Sequence, residues 1–299
     1  MKVLVSDKIA SEGVQKLKDA GFEVVEAWDV DKEKIPDLIK DCDAIIVRSA
    51  TKVRKPMIDN APKLKVIGRA GVGLDNIDVE YAKSKGIKVI NTPGATTVSV
   101  AELTIALMLA SVRPLIQAVI STKMGKWEKK KLKGHELFGK TLGIIGIGRI
   151  GQAVAERAKA FGMKIIAYDK YIKDSGYKMV DLDTIYKESD IITIHTPLTD
   201  ETKHLINSET IAKMKDGVII INAARGGIID EDALYDALNS GKVKAAALDV
   251  FETEPPKGSK LLELENFICT PHIGAQTAEG QLRAGVEVAE KVIEALKSA

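Results

Sequence analysis

Three polar residues follow late apolar segments of the sequence and could together remove a proton from a hydroxyl group. Arg225 follows the run VIIINAA, Glu254 lies in DVFETEPP, and His272 follows FICTP. An imidazole titrates near neutral pH and can accept a proton, and a carboxylate beside it would fix its tautomer and stabilise the imidazolium. A guanidinium is a planar fork that matches a carboxylate. These residue types fit the oxidation of a secondary alcohol that carries a carboxylate, provided that another group accepts the hydride.

A glycine-rich turn predicts that hydride acceptor. Gly146, Gly148 and Gly151 form G-x-G-x-x-G after the run LGIIG, at the start of a helical segment from Arg149 to Phe161, and Asp169 ends the next apolar run. In this setting the three glycines permit a tight turn, backbone approach to a pyrophosphate and close helix–strand packing. The aspartate would accept hydrogen bonds from both hydroxyls of an adenosine ribose and repel a 2′-phosphate. The glycine-rich turn with Asp169 therefore predicts NAD rather than NADP, and the positive charge of the adjacent Lys170 weakens this preference.

The elements that must position these residues form two series of short apolar runs separated by helical patterns. Residues 1–93 contain KVLVSD, FEVVEA, CDAIIVRS, KLKVIGRA and IKVINTP; from Leu142 onwards come LGIIG, KIIAYD, IITIHT, VIIINAA, KAAALDV and FICTP. This alternation predicts two α/β domains, with five strands in the first and six in the second. Because ligands bind at the carboxyl ends of strands in open α/β sheets, we expect the three polar residues near one sheet edge.

An apolar helix starting near Ser99 and the stretch GKWEKKKLKGHELFGK lie between the two series. The uncharged run from Leu103 to Val112 is about half the length that a bilayer requires, so we interpret it as a buried helix, and the lysine-rich stretch as an exposed connection. One amphipathic helix is predicted from Gln276 to Ala299. The residues leave open which of the two domains it packs against.

Composition and charge restrict the partners. Lys and Arg total 44 against 42 Asp and Glu, scattered along the chain, and this near balance does not favour a nucleic-acid partner. The N-terminus lacks the apolar segment of a secretory signal, so we expect a cytoplasmic protein with no membrane partner. Cys42 and Cys269 have no metal-type spacing, which predicts no metal site and two buried free thiols.

Two other features resemble functional motifs. His195 also ends a strand-like run and is the alternative candidate for a catalytic histidine, whereas His135 and His204 have no comparable setting. The cluster Gly71-Val72-Gly73 has Asn76 in place of the third glycine, so it does not predict a second dinucleotide turn.

Seven motifs occur in an order that resembles the D-2-hydroxyacid dehydrogenase family over essentially the whole chain, and within it the phosphoglycerate dehydrogenases. They are GRAGVGLDNID, NTPGATTVSVAEL, GKTLGIIGIGRIG, HTPLTDET, NAARGGIIDEDAL, ALDVFETEPP and TPHIGAQT. The resemblance implies two doubly wound parallel-sheet domains: a Rossmann NAD-binding domain over residues 96–275 and a flavodoxin-like substrate domain formed by residues 1–95 and 276–299. It also implies an active site in the cleft between them and a homodimer, with contacts largely on the cofactor domain and the connecting segment.

The resemblance assigns roles to individual residues. Arg225, Glu254 and His272 would form the catalytic triad. Beyond the three turn glycines, the implied NAD contacts are Val72, Ala101, Arg149, Ile150, Asp169, Thr196, Ala223, Ala224, Arg225, Asp249, His272, Gly274 and Ala275. The candidate substrate contacts are Arg48, Ser49, Val72, Gly73 and Arg225.

The implied reaction is oxidation of 3-phospho-D-glycerate to 3-phosphohydroxypyruvate, the first step of serine biosynthesis, because RSATKV and GRAGVG resemble the phosphoglycerate branch. Arg48 or the stretch from Lys129 to Lys133 could bind the phosphate, although the lysines fit a solvated linker equally well. A glyoxylate or hydroxypyruvate reductase and a corepressor-like NAD-sensing binding protein are the alternatives. Since the sequence ends after the returning helix, we expect no regulatory ACT domain and no serine feedback through one.

Overall fold

The computed structural model describes residues 1–298. The chain divides into two compact units, the first formed by Met1–Thr97 with the segment from Ala275 to the end of the described chain, the second by Val98–Gly274. The strands are β1 Lys2–Val5, β2 Glu23–Glu26, β3 Ala44–Val47, β4 Val66–Arg69, β5 Lys88–Asn91, β6 Thr141–Ile145, β7 Lys164–Tyr168, β8 Lys178–Met179, β9 Ile191–Ile194, β10 Val218–Asn222, β11 Val243–Leu248 and β12 Phe267–Cys269. The α-helices are α1 Ser11–Asp19, α2 Ile35–Leu38, α3 Lys55–Asp59, α4 Val79–Ser84, α5 Thr97–Val112, α6 Leu115–Lys123, α7 Arg149–Ala160, α8 Leu182–Glu188, α9 Ser208–Ala212, α10 Glu231–Asn239 and α11 Ala278–Lys297.

The first unit is built on a five-stranded parallel sheet in the order β2-β1-β3-β4-β5, the flavodoxin-like arrangement. Helices α1 and α11 cover one face, and α2, α3 and α4 cover the other. Helix α11 packs so tightly on α1 that a Cβ at Gly13 would lie 2.4 Å from the carbonyl oxygen of Gly285. The final helix therefore belongs to the first unit, which answers the question that the sequence left open.

The second unit has a parallel sheet in the order β12-β11-β10-β9-β6-β7-β8. Its first six strands along the chain follow the doubly wound dinucleotide-binding order, and β12 extends the sheet beyond them. The prediction of six strands was wrong by one, because β8 has only two residues and no apolar run to mark it. The sheet is covered on both faces: in β9, Ile192 and Ile194 belong to one apolar cluster and Ile191 to the other.

Helix α5 packs into the second unit with Met108 fully buried, as its uncharged run predicts. Within residues 1–298 no single helix is long and apolar enough to cross a membrane; α5 and α6 meet that test only as a pair bent by 70°. Much of the connection after α6 is exposed, as expected, although Leu137 is buried. Cys42 is buried, but the expectation of two buried thiols was wrong for Cys269, which ends the edge strand β12 and is exposed.

Candidate active site

The glycine-rich turn joins β6 to α7 at the carboxyl edge of the second sheet. Gly146 has φ +93°, and a Cβ there would lie 2.7 Å from the carbonyl oxygen of His195. A Cβ at Gly151 would lie 2.2 Å from the carbonyl oxygen of Gly146. Gly148 precedes α7, and a Cβ there would meet no described atom within 4 Å. Two glycines are thus required by packing, whereas the third leaves open space beside the N-terminus of a helix, where a pyrophosphate binds favourably.

Asp169 follows β7 and lies against this turn. Its Oδ2 accepts a hydrogen bond from the backbone N–H of Ile147 (3.0 Å), and its Oδ1 accepts from the N–H groups of Tyr171 (2.8 Å) and Ile172 (3.0 Å). A carboxylate has about four acceptor positions, so roughly one is left for a ribose hydroxyl, fewer than the two bonds expected from the sequence. Lys170 is paired with Glu201, and this hydrogen bond raises the pKa of the lysine.

His272 and Glu254 form a hydrogen-bonded pair. The imidazole Nδ1 lies 2.8 Å from Oε2 of Glu254, whose Oε1 accepts the backbone N–H of Phe251 at 3.2 Å. An ionised carboxylate can only accept, so Nδ1 carries the proton and Nε2 of the neutral ring is the free base. The histidine side chain is half exposed, and its Nε2 can therefore be reached by a substrate.

Asp249 fixes the loop that carries His272. This buried residue follows β11, and its carboxylate accepts hydrogen bonds from the Thr270 hydroxyl (2.6 Å) and from the backbone N–H groups of Ile273 (2.8 Å) and Gly274 (2.7 Å). Its position shows an anchoring role that the sequence did not reveal. The role implied by the family resemblance, a contact with NAD, stays a prediction.

Arg225 lies in the loop after β10, and Asn222 shapes that loop. The buried Asn222 amide accepts the N–H of Ala224 and donates to the carbonyl oxygen of Arg225, both at 2.9 Å. A Cβ at the next residue, Gly226, would lie 1.8 Å from the carbonyl oxygen of Phe251, so the arginine loop packs directly on the loop of Glu254. Sequence reasoning missed Asn222, although an amide at the end of a buried strand was an available signal.

His195, the alternative candidate, is unsuited to proton transfer. Burial lowers the pKa of its imidazole to about 3, so the ring stays neutral at physiological pH. Its Nε2 lies 3.0 Å from the Thr193 hydroxyl. The neighbouring Thr196 has a buried hydroxyl without a hydrogen-bond partner in the described chain. An unpartnered polar atom beside the glycine turn suits a polar cofactor.

The other predicted cofactor contacts differ in exposure. Arg149 is exposed at the start of α7, and Ala101 is fully buried in α5, which leaves its side chain no surface for a ligand. The remaining residues are the half-buried Ile150, Ala224, Val72 and Ala275 and the buried Ala223. Val72 and Ala275 belong to the first unit.

The predicted substrate contacts of the first unit follow β3 and β4. The buried Asp7 carboxylate accepts the backbone N–H of Arg48 (2.7 Å) and the N–H (3.0 Å) and hydroxyl (2.6 Å) of Thr51, and thereby fixes the loop that carries Arg48 and Ser49. Burial lowers the pKa of Arg48, but an arginine remains charged at neutral pH. The loop with Gly73 is held where Asn91 donates to the carbonyl oxygen of Val72.

The chain is similar to known proteins along nearly its whole length. Residues 105–274 match the family described as D-isomer specific 2-hydroxyacid dehydrogenase, NAD binding domain. The chain is 56% identical to a hydroxypyruvate reductase of Thermotoga maritima, over 99% of this chain and 98% of the relative. It is 54% identical to a D-3-phosphoglycerate dehydrogenase of Methanocaldococcus jannaschii, over 99% of this chain but only 58% of that relative.

A solved structure shares the whole fold. The TT0316 protein of Thermus thermophilus superimposes with a TM-score of 0.92 at 36% identity, covering 100% of this chain and 97% of that one. The open Gly148 turn and the unpartnered Thr196 hydroxyl fit the dinucleotide that the family binds. The chain belongs to the D-isomer specific 2-hydroxyacid dehydrogenases and is an NAD-dependent enzyme of that family.

Proposed function

We propose that the enzyme interconverts 3-phospho-D-glycerate and 3-phosphohydroxypyruvate, with Arg225, Glu254 and His272 as its catalytic residues. The observation that supports the catalytic assignment is the 2.8 Å bond between Glu254 and His272 at the carboxyl edge of the NAD-binding sheet. The substrate assignment rests on similarity to phosphoglycerate dehydrogenases along 99% of this chain.

In the oxidative direction, Nε2 of His272 accepts the proton of the 2-hydroxyl group. NAD, held at the Gly148 turn and beside Thr196, would supply the acceptor for the hydride on the carbon that carries this hydroxyl, so that the alcohol could become a ketone. Glu254 stabilises the imidazolium through Nδ1, so the positive charge forms next to a carboxylate. In the reverse direction the imidazolium returns the proton to the carbonyl oxygen.

Arg225 would bind the substrate carboxylate through its planar fork. A phosphate at the other end of the substrate carries nearly two negative charges and calls for further cations. Arg48 is one candidate, and the exposed stretch from Lys129 to Lys133 is another. Within that stretch Lys131 is paired with Glu128 at 2.8 Å.

One comparison favours a second candidate function, the reduction of hydroxypyruvate or glyoxylate. The hydroxypyruvate reductase matches over nearly its whole length, whereas this chain spans little more than half of the phosphoglycerate dehydrogenase. Hydroxypyruvate differs from phosphohydroxypyruvate only by the phosphate, and glyoxylate also lacks the carbon that carries it, so recognition of the phosphate decides between the two functions.

NADH consumption with phosphohydroxypyruvate, hydroxypyruvate, glyoxylate and pyruvate in parallel tests the proposal. We expect kcat/KM to be at least about tenfold higher for the phosphorylated acid, equivalent to about 1.4 kcal/mol of transition-state binding. A preference for hydroxypyruvate or glyoxylate would assign the second function. No turnover of any of the four would reject both.

The variant Arg48→Gln tests the phosphate contact. Removing this cation should raise KM for phosphohydroxypyruvate about tenfold and leave KM for hydroxypyruvate nearly unchanged, because only the first substrate loses a charge-assisted hydrogen bond. Lys8→Gln is the matched control, because it removes an exposed cation next to Arg48, whose guanidinium donates to the Lys8 backbone carbonyl oxygen. Equal KM changes for the two substrates would show that Arg48 does not recognise the phosphate.

A further inference from the structure

A second polar cluster lies beside the Glu254 loop in the same unit. His204 Nε2 is 3.0 Å from Oε1 of Glu252, and Oε1 of Glu231 accepts the backbone N–H of Glu252 at 2.7 Å. Asp230 Oδ2 lies 3.9 Å from Nδ1 of the same histidine. We call His204, Glu231 and Glu252 the loop-holding cluster.

The cluster fixes the backbone from which Glu254 extends. Glu252 is held through both its side chain and its N–H group, and the preceding residue, Phe251, donates its N–H to Glu254 Oε1. The other carboxylate oxygen of Glu254 is the partner of His272. A displacement of residues 251–252 would therefore move the carboxylate that orients the imidazole.

The partners that hold this loop are themselves constrained. His204 has φ +49°; its N–H donates to the carbonyl oxygen of Gly227 (2.8 Å), and its own carbonyl oxygen accepts from the Asn207 side chain (2.9 Å). Glu231 is the first residue of α10, which Asp230 caps by accepting the N–H of Ala233. Both side chains therefore reach the loop from fixed backbone.

The location of Glu231 is electrostatically unfavourable. Burial raises the pKa of its carboxyl, and the nearby carboxylates of Glu252 and Asp232 raise it further, against the lowering effect of the Glu252 N–H group. Groups that are held in such environments are concentrated at functional sites. What Glu231 gains at this location is its hydrogen bond from the backbone N–H of Glu252.

We propose that Glu231 and His204 are positioning residues for catalysis, which hold residues 251–252 so that Glu254 stays aligned with His272. This inference rests on the proposed roles of Glu254 and His272. It assigns a function to two residues that need no contact with substrate or cofactor. It predicts losses in the chemical step rather than in binding.

Glu231→Ala and Glu231→Gln form the main comparison. Alanine removes the acceptor of the Glu252 N–H, whereas the glutamine carbonyl oxygen can replace it. The side chain lines a cavity of about 440 Å³, so its truncation enlarges an existing space and should not prevent folding. Asp232→Ala is the control, because it removes an equal charge from the same helix turn without a bond to the loop.

With the preferred keto acid, Glu231→Ala should lower kcat about tenfold, and KM and the Kd of NADH should change less than twofold. Keto-acid reduction needs the His272 imidazolium as proton donor, and a displaced Glu254 no longer stabilises it. The alkaline limb of the plot of kcat against pH should therefore move to lower pH. Glu231→Gln should retain most of the activity and the wild-type pH profile. Asp232→Ala should match the wild type in both.

His204→Asn and His204→Gln test the other side of the cluster and do not depend on the folding of Glu231→Ala. Asparagine tolerates a positive φ but is too short to reach Glu252, whereas the glutamine amide can donate to its carboxylate. We expect Asn to lower kcat several-fold with the same shift of the pH profile, and Gln to restore part of the loss.

Wild-type kcat and pH profile in both Glu231→Ala and His204→Asn would overturn the inference. A loss that appears only in KM, or equally in Asp232→Ala, would also overturn it. If the wild-type protein reduces none of the keto acids, the proposed function fails instead. Circular dichroism and the Tm of each variant separate misfolding from a loss of alignment.

Discussion

His272 combines an unusual backbone with its proposed chemistry. It has φ +53°, in the left-handed region that most L-residues avoid and that Asn, Asp and His adopt more often than the others. The loop is held in this conformation because the Asp249 carboxylate accepts hydrogen bonds from the N–H groups of Ile273 and Gly274. A histidine that is held in this way can keep Nδ1 on Glu254 and direct Nε2 towards a substrate.

The positive φ of His272 determines which substitution is suitable for testing its role as the proton acceptor. His272→Asn should lower kcat by a hundredfold or more, about 3 kcal/mol or more of lost transition-state stabilisation, because it removes the proton acceptor and tolerates the conformation. Titration of NADH by fluorescence should give a nearly unchanged Kd. Wild-type kcat in this variant would remove His272 from the mechanism.

Asp169 and Lys170 make opposite contributions to cofactor choice. The aspartate lies at the glycine turn, and the lysine charge is directed to Glu201. Asp169→Ala should therefore raise the NADP/NAD ratio of kcat/KM about tenfold, because a 2′-phosphate no longer meets a carboxylate. Glu201→Gln alone should change the ratio much less. An unchanged ratio in Asp169→Ala would show that this carboxylate does not select the cofactor.

At the scale of elements, a carboxylate after a strand holds a loop with candidate site residues in each unit. Asp7 follows β1 and accepts hydrogen bonds from the loop after β3. Asp249 follows β11 and accepts hydrogen bonds from the loop after β12. The donors are backbone N–H groups that would otherwise be left without partners at the ends of neighbouring strands. The same arrangement thus holds both Arg48 and His272.

Asp7 should make the first unit sensitive to acid. Burial raises the pKa of its carboxyl, but hydrogen bonds from Lys32, Thr51 and Arg48 outweigh it, so the pKa falls below its ordinary value of 3.8. Its stabilisation is therefore complete above that pH and is lost as the pH falls through the lower folded-state value.

Asp7→Asn should destabilise the first unit at pH 7 by about 2 kcal/mol, because it removes the charge of a buried carboxylate that accepts hydrogen bonds from the half-exposed Lys32 and from Thr51 and Arg48. Thermal unfolding at pH 7 and at pH 3 measures the effect. We expect the difference from the wild type to shrink at the lower pH. A difference that is the same at both pH values would contradict a charged Asp7 in the folded state.

At the scale of the whole molecule, α6 carries an apolar surface. Leu115, Ile116, Val119 and Ile120 are between 43% and 54% exposed. Apolar residues grouped in this way mark protein interfaces. We propose that this surface contributes to a homodimer, the oligomer that the family resemblance implies.

Ile116→Glu combined with Ile120→Glu should dissociate the dimer, because each change places a charge in an apolar contact. Sedimentation velocity at micromolar concentration should show the wild type at twice the 32.3 kDa of the chain and the variant at that mass. Leu262→Glu alters an exposed leucine outside α6 and serves as the control. A monomeric wild type would refute the proposal.

Most of the secondary structure could be predicted from the sequence, because alternating and helical periodicities are local properties. The runs before Gly146 and Arg225 appear as β6 and β10, and the exceptions have equally local reasons. β8 is too short to produce a pattern, and the exposed position of Cys269 depends on β12 being an edge strand. The family motifs indicated the residue types of the site but not their contacts.

The sequence by itself determined the two α/β series, the glycine-rich turn and the polar residues that follow the late strands. Only the tertiary structure decided which unit receives α11, which oxygen of Glu254 meets Nδ1 of His272, and that Asn222 and Asp249 hold the loops. The physical reason is distance along the chain. Periodicity acts over a few residues, whereas the His204–Glu252 bond joins residues 48 positions apart, which become neighbours only when the sheet is assembled.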